Sequence, residues 1–331
     1  MFFKVKITQL CLVALYPIRA KALTTKGNVM KKENILIVGT GALATLFAAR
    51  LSASGVEINM LGSWQAAISA LNKSGAGLVD ANGKENFYPV NAITECKKAR
   101  YAIVLVKSWQ TEQVARRLEK CLAKDGLVLS LQNGLGNGKI LADILRAERV
   151  AQGVTVVGAS LLEAGRVKIS GEVRVSLGEH PRLGAIETLL RASKFKVTRV
   201  ASIESLIWSK LVINSAINPL TALLDIPNGD LLKIPEMKAL MAELARETAS
   251  VAGAQNISLG FEDSVLAVEE VARQTSSNIS SMLQDLRRGA PTEIDAICGA
   301  ISQAGEVFSV PTPRNKTCWQ LVKARANRGS I

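Results

Sequence analysis

The chain has 331 residues, enough for two ordinary domains that each bury a core. It is 48% apolar and 4% aromatic, and no run after residue 30 reaches the roughly 18 apolar residues of a membrane span. The formal charge of +13 includes Lys4, Lys6, Arg19, Lys21 and Lys26 of an acid-free first 29 residues; the remaining 36 basic and 28 acidic residues leave a scattered +8, which small anionic ligands account for without nucleic acid or a membrane surface.

In chain order, Phe2 to Ala22 is similar to a secretory signal, with Lys4 and Lys6 before an apolar stretch from Ile7 to Ile18. That stretch is short and broken by Gln9 and Pro17. The competing reading, which we favour, starts the protein at Met30 or makes residues 1–29 an extension. The expected location is the cytoplasm.

Asn34–Val38 is an apolar, β-branched run suited to a buried parallel strand. Gly39-Thr40-Gly41-Ala42-Leu43-Ala44 follows, then a helix over Thr45–Ser54 closed by Gly55, and a second strand over Val56–Leu61. Gly39 permits a tight turn, Gly41 lets backbone amides approach a pyrophosphate, and the small Ala44 permits close helix–strand packing. The pattern sits in the strand–turn–helix context it requires, so it predicts a dinucleotide site. At the end of the second strand, Leu61-Gly62-Ser63-Trp64-Gln65 offers neither the acid that holds a ribose 2′-hydroxyl nor an arginine for a 2′-phosphate. Without an acid to repel phosphate, and with Ser63 or Gln65 as donors, NADP is the expected cofactor and NAD stays open.

Strands are expected at Tyr101–Val106 and Leu127–Leu131, separated by a helix over Gln110–Leu122. Lys107 and Asn133 then stand at the carboxyl ends of successive strands, where open α/β sheets bind ligands; a solvated lysine and an Asn-Gly turn are the plain alternatives. Further strands are expected at Val150–Val157, Gly165–Ile169 and Val173–Leu177, the last two in antiparallel style. The five cysteines (Cys11, Cys96, Cys121, Cys298, Cys318) show no Cys-x-x-Cys pair and the one histidine, His180, lies in a loop, so we expect reduced thiols and no metal site.

Beyond residue 200 the pattern is helical, at Ile203–Leu224, Pro235–Ala252, Phe261–Thr275 and Thr292–Ala304. The fold class is therefore α/β: a Rossmann-like dinucleotide-binding domain over residues 30–200, followed by an all-helical domain over residues 201–331. On the first of these helices Lys210, Asn214 and Asn218 recur every four residues and line one face among Leu211, Val212, Ile213, Ala216 and Ile217. Such a polar set is costly in apolar surroundings unless something satisfies it, and a bound ligand would; a solvent-facing stripe is the alternative. Asn278–Asp285 and Pro291–Asp295 look by themselves like loops and helix caps.

The glycine turn, Val106-Lys107-Ser-Trp-Gln, Leu131-Gln-Asn-Gly134, Trp208-Ser-Lys-Leu-Val-Ile-Asn-Ser-Ala-Ile-Asn-Pro-Leu-Thr-Ala222, Asn278-Ile-Ser-Ser-Met-Leu-Gln-Asp and Thr292-Glu-Ile-Asp295 together resemble the ketopantoate reductase family, in order over about residues 34–325. The resemblance implies reduction of 2-dehydropantoate to pantoate with NADPH, a step towards pantothenate and coenzyme A. It implies Lys210 as proton donor, and Asn214, Asn218, Asn228 and Ser281 as holders of the keto acid. Lys107, Asn133, Glu293 and Gly158 would contact the cofactor, Asn133 also the substrate. Family members commonly carry an arginine where this chain has Gly62, which keeps NAD use open. Hydride transfer to a ketone develops alkoxide charge, and a lysine whose pKa is lowered from about 10.4 by burial or a nearby cation can protonate it. A reductase of another small keto acid and a non-catalytic nucleotide sensor of the same fold are the alternatives; a homodimer is left open.

Overall fold

The computed structural model describes residues 35–327; the readings of residues 1–29, of Met30 as the start and of Cys11 lie outside them. Among these residues the chain forms two compact units, 35–132 with 136–203, and 204–327 with the short segment 133–135.

The first unit begins with β1 (Ile35–Val38), α1 (Ala42–Ala53), β2 (Ile58–Leu61), α2 (Gln65–Ser74), β3 (Ala76–Val79), β4 (Glu85–Tyr88) and β5 (Asn91–Ile93). It continues with β6 (Ala99–Val104), a 3-10 turn (Ser108–Gln110), α3 (Thr111–Cys121), β7 (Leu122–Ser130) and α4 (Asn137–Leu145), then β8 (Val150–Glu163), β9 (Arg166–Leu177), α5 (Gly184–Ala192) and β10 (Lys196–Arg199). The sheet order is β4-β3-β9-β8-β7-β6-β1-β2-β5, with β10 against β9. Strands β8 to β5 along this order are parallel, while β8 turns back on β9 antiparallel.

Alternation along the central strands explains the burial. Ile35 and Ile37 of β1, with Ile103 and Leu129, pack on α1, while Leu36 and Val38, with Val104 and Val128, pack on α3 and α4. Both faces are thus covered by helices, which is why these strands read as continuous apolar runs. Gly39, Leu105 and Leu131 leave their strands at one edge, as the bonds from Gly39 N to Leu61 O, Leu105 N to Val38 O and Leu131 N to Val104 O show.

Several elements depart from the sequence reading. The helix α1 starts at Ala42, not Thr45, because Gly41 already serves as its N-cap. The segments expected as two strands form the single β9; Gly171, with φ of 80°, accommodates the irregular register opposite β8. Elements α2 to β5 escaped notice, being short and weakly patterned. The expectation that all cysteines are reduced is corrected for one pair: Cys96 and Cys121 form a disulfide, with Cα atoms 5.9 Å apart. They are 25 residues apart in sequence, and only the folding of α3 beside the segment after β5 brings them together; Arg117 also bonds to Thr94 O there. Cys298 and Cys318 are free and buried, and burial pushes both thiols up, Cys318 to about 11.

The second unit is helical: α6 (Ile203–Leu224, assigned here from residue 204), a 3-10 turn (Asn228–Lys233), α7 (Pro235–Ala254), α8 (Ser264–Gln274), α9 (Ser281–Arg287), a π-helical turn (Asp295–Gly299), α10 (Ala300–Val307) and α11 (Pro313–Asn327). Its core gathers Trp208, Leu211, Val212, Met241, Leu244, Val268, Leu283, Ile301 and Val322. The helix expected over Thr292–Ala304 is divided: Trp319 packs where a Gly299 side chain would lie and donates from Nε1 to Asp295 Oδ1 at 2.7 Å, within the π turn that precedes α10. No helix among the described residues is long and apolar enough to cross a membrane.

Candidate active site

In the first unit, the carboxyl edge of β1 carries the glycine turn. Gly39 has φ of 127°, and a Cβ there would stand 3.3 Å from both Ala44 Cβ and Leu105 O, so the turn and the small Ala44 require each other. Gly41 caps α1 with no side-chain hydrogen bond, and a Cβ there would meet nothing within 4 Å. The first turn of α1 has no acid. Uncapped amides of Ala42, Leu43 and Ala44, at a positive helix end where Gly41 adds no side chain, fit a pyrophosphate.

Thr40 is 6% exposed, and its side chain explains what stands at the end of β2. A Cβ at Gly62 would lie 2.5 Å from Thr40 Cγ2. Thr40 fills the space, so a larger residue at 62 requires a smaller one at 40. Beyond Gly62, Ser63 is exposed and α2 starts after Trp64 without a side-chain cap.

Lys107 is half-buried at the entrance of the 3-10 turn, where its carbonyl accepts from Gln110 N at 2.9 Å. A network that sequence reading missed holds this turn. Gln132 Nε2 donates to Val106 O at 3.2 Å and to Thr111 Oγ1 at 2.8 Å, and Thr111 donates to Asn137 Oδ1 at 2.7 Å. Thr111 and Asn137 are buried; their polarity at helix starts reads as capping, and only the fold shows what they join. Gly158 lies elsewhere, opposite Ser170 at an irregularity of the β8–β9 pair well beyond the carboxyl edge, and no hydrogen bond among the described residues ties it to the glycine turn.

The second unit collects a different set. Asn133 donates from Nδ2 to Glu293 Oε2 at 3.2 Å, across 160 residues of sequence. Leu135 N donates to Ala296 O at 2.9 Å, and Gly134, with φ of 83°, is pressed so close that a Cβ would meet Ala296 at 2.7 Å. Segment 133–135 is thereby seated on the residues entering the π turn, a helical irregularity that recurs at functional sites. Glu293 is 4% exposed, and its charge acts on Lys210 of α6. The Lys210 side chain keeps some solvent contact, yet the protein packed around it penalises the ammonium and lowers its pKa to about 8, Glu293 opposing the shift.

Asn214 is half-buried and Asn218 is 8% exposed, and neither carboxamide has a hydrogen-bond partner among the described residues. One turn past Asn218, Thr221 pairs with the hydroxyl of Ser280 at 2.7 Å, which brings the start of α9 beside the polar face of α6. Ser280 is the buried N-cap; the expected site residue Ser281 is the next residue and is exposed. Asn228 donates from Nδ2 to Thr275 at 2.9 Å and from its backbone to Asn278 O at 3.0 Å, leaving Oδ1 buried without a partner. The structure thus joins Asn133 to Glu293, whose charge acts on Lys210, places Asn214 and Asn218 along the same helix as Lys210, ties Asn228 to Thr275 and Asn278, and puts Ser281 at the start of α9.

Both units have counterparts among known proteins. The family described as ketopantoate reductase PanE/ApbA matches residues 35–182, and its C-terminal counterpart matches residues 202–326. A 2-dehydropantoate 2-reductase of Archaeoglobus fulgidus is 35% identical over 300 residues, 89% of this chain and 98% of the relative. Among solved structures, a PanE/ApbA family ketopantoate reductase from Ralstonia eutropha JMP134 superposes with a TM-score of 0.84 at 27% identity, covering 90% of this chain and 100% of that one. D-mandelate dehydrogenase, solved with NADH and anilino(oxo)acetate, gives 0.83 at 27% identity, covering 90% of this chain and 99% of that one. With both units matched and the polar helix in its place, this chain belongs to the ketopantoate reductase family.

Proposed function

We propose that this protein reduces 2-dehydropantoate to pantoate with NADPH, in the cytoplasm, as a step towards pantothenate and coenzyme A. The observation that carries the reading is Lys210, a lysine held near pKa 8 beside Glu293 on a helix face that also offers two unpartnered carboxamides. When bound at the glycine turn, the nicotinamide cofactor supplies the hydride. Lys210 Nζ first donates a hydrogen bond to the keto oxygen and then releases its proton to it as the carbon is reduced, so the ketone gains a hydride and a proton to become the alcohol. Glu293 keeps part of the Lys210 population charged and orients Asn133 through their hydrogen bond. Asn214, Asn218, Asn228 and Ser281 hold the carboxylate and hydroxyl of the keto acid. Glycine-turn residues Gly39–Ala44, with Lys107, Asn133 and Glu293, hold the cofactor, and Gly158, set apart from the glycine turn, is left out of this set.

NADPH is preferred on two grounds. No carboxylate stands at the end of β2 to repel a 2′-phosphate, and exposed Ser63 precedes the uncapped start of α2. Thr40 against Gly62 takes the room an arginine would need there, so phosphate recognition falls to these smaller groups.

A second reading, reduction of a different 2-keto acid, is favoured by the equal likeness to D-mandelate dehydrogenase. The deciding assay follows loss of reduced-nicotinamide absorbance with 2-dehydropantoate and with phenylglyoxylate, each with NADPH and NADH. Turnover led by 2-dehydropantoate and NADPH is the expected result. Turnover of phenylglyoxylate alone transfers the fold to the second reading, and NADH preference reverses the cofactor assignment.

A further inference from the structure

The amino-terminal edge of the same sheet holds a second polar feature. The glycine turn and Lys107 lie at the carboxyl ends of β1 and β6; at the opposite edge, about four strand residues or roughly 13 Å away, three segments line an open cavity of about 630 Å³. They are the start of β7 with Lys124, the turn between α4 and β8 with Arg146 and Arg149, and the turn after β9 with His180 and Arg182. Its volume lies in the range of small-molecule sites.

Its charge is one-sided. Glu148 is the single acid of the lining, and among the described residues Lys124, Arg146, Arg149 and Arg182 have no carboxylate partner. Elsewhere in this unit Arg116, Arg166, Arg174, Arg191 and Arg199 each pair with a glutamate. The guanidinium groups of Arg149 and Arg182 are anchored on carbonyls instead. Arg149 Nη2 donates to Ala123 O at 2.6 Å and to Leu122 O at 3.3 Å, while its Nε is buried without a partner. Arg182 donates to Asp125 O at 3.1 Å and to Glu148 O. Carbonyl bonds fix these groups in place but leave their charge uncompensated. His180 Nδ1 accepts from Arg182 N at 3.2 Å, so Nε2 carries the proton and faces Glu148 O at 3.2 Å. Burial pushes the His180 pKa down, with Arg182 and Arg199 adding to the shift against the bond to Glu148. Arg146, finally, holds φ of 74°, a left-handed conformation that non-glycine residues adopt rarely and chiefly where the surroundings enforce it.

We propose that this cavity is a binding site for a small phosphate-bearing ligand, separate from the glycine turn. Guanidinium charge held in place and uncompensated by carboxylates attracts phosphate oxygens, and Lys124 and Arg146 supply mobile charge at the rim.

The test is calorimetric titration of the full chain with inorganic pyrophosphate, with citrate as a carboxylate control, using wild type and the double variant K124Q/R146Q. Neither side chain makes a hydrogen bond among the described residues, so the variant should melt like wild type. Saturating NADPH occupies the glycine turn, and the variant leaves that turn untouched, so the comparison between the two proteins reads the cavity alone. The expected result is pyrophosphate binding by wild type in the presence of NADPH, weakened about tenfold or more in the variant, since two charge contacts are lost. An unchanged dissociation constant in the variant, or citrate binding as tightly as pyrophosphate, overturns the proposal.

Discussion

Lys210 shows how one residue can be costly to the fold and useful to its chemistry. Its pKa falls from 10.5 to about 8 because packing penalises the ammonium more than Glu293 supports it. Below pH 8 the folded protein must hold a charge that the unfolded chain carries freely, so this group subtracts stability there; the loss is relieved as pH rises from about 8 towards 10.5. Lys210→Met should therefore raise stability at neutral pH by about 1–3 kcal/mol while lowering kcat by about 10²–10⁴. Denaturant melts alongside turnover check both, and a variant that is neither more stable nor slower removes the role. Glu293→Gln keeps an oxygen for Asn133 and deletes the charge that raises the Lys210 pKa. The falling alkaline limb of kcat/KM for reduction should then move to lower pH than in wild type. A limb that stays in place would show that Lys210 is not the group that titrates.

Among elements, the turn carrying Lys107 is held by hydrogen bonds rather than by apolar packing. Thr111 sits at the first position of α3 and links Gln132 to Asn137. Thr111→Val preserves shape and removes the hydroxyl that joins half-buried Gln132 to buried Asn137, at a cost of about 1 kcal/mol. It should raise the Michaelis constant for cofactor more than that for keto acid, and equal effects on both would mark a general loss of order. The Cys96–Cys121 disulfide ties the end of α3 to the segment before β6, far along the strands from the glycine turn. Closing a loop of 25 residues predicts about 3.5 kcal/mol of stability. Melts of C96S against oxidised wild type measure this, with turnover expected to be unchanged.

At the scale of the whole molecule, the two units carry separate chemistry. The first presents the uncapped amides of the glycine turn and Lys107; the second gathers Lys210, Glu293, Asn133 and the asparagine face. Binding linkage makes the cofactor reading measurable without substrate. At a hundred times its dissociation constant, NADPH should stabilise the chain by about 2.7 kcal/mol, and NADH at the same concentration should do less. An equal shift with both ligands would show that the edge around Ser63 does not distinguish the 2′-phosphate.

Local rules were enough for much of this. The buried run Ile35–Val38, the glycine turn, and the four-residue spacing of Lys210, Asn214 and Asn218 are periodic signals over short distances, and α6 spans the residues its pattern predicts. The α/β unit followed by a helical unit was legible for the same reason: strand and helix periods differ, and the change falls near residue 200. What the sequence hid depends on residues far apart. Asn133 and Glu293 stand 160 positions from each other, Cys96 and Cys121 form no recognisable spacing, and Thr40 meets Gly62 only because β1 and β2 are neighbours in the sheet. Propensity and periodicity act within a few turns of chain, whereas burial and charge proximity depend on which surfaces the completed core brings together. The sequence alone therefore determined which residues share a helix face or a strand end, and the tertiary structure decided which of those residues act on one another.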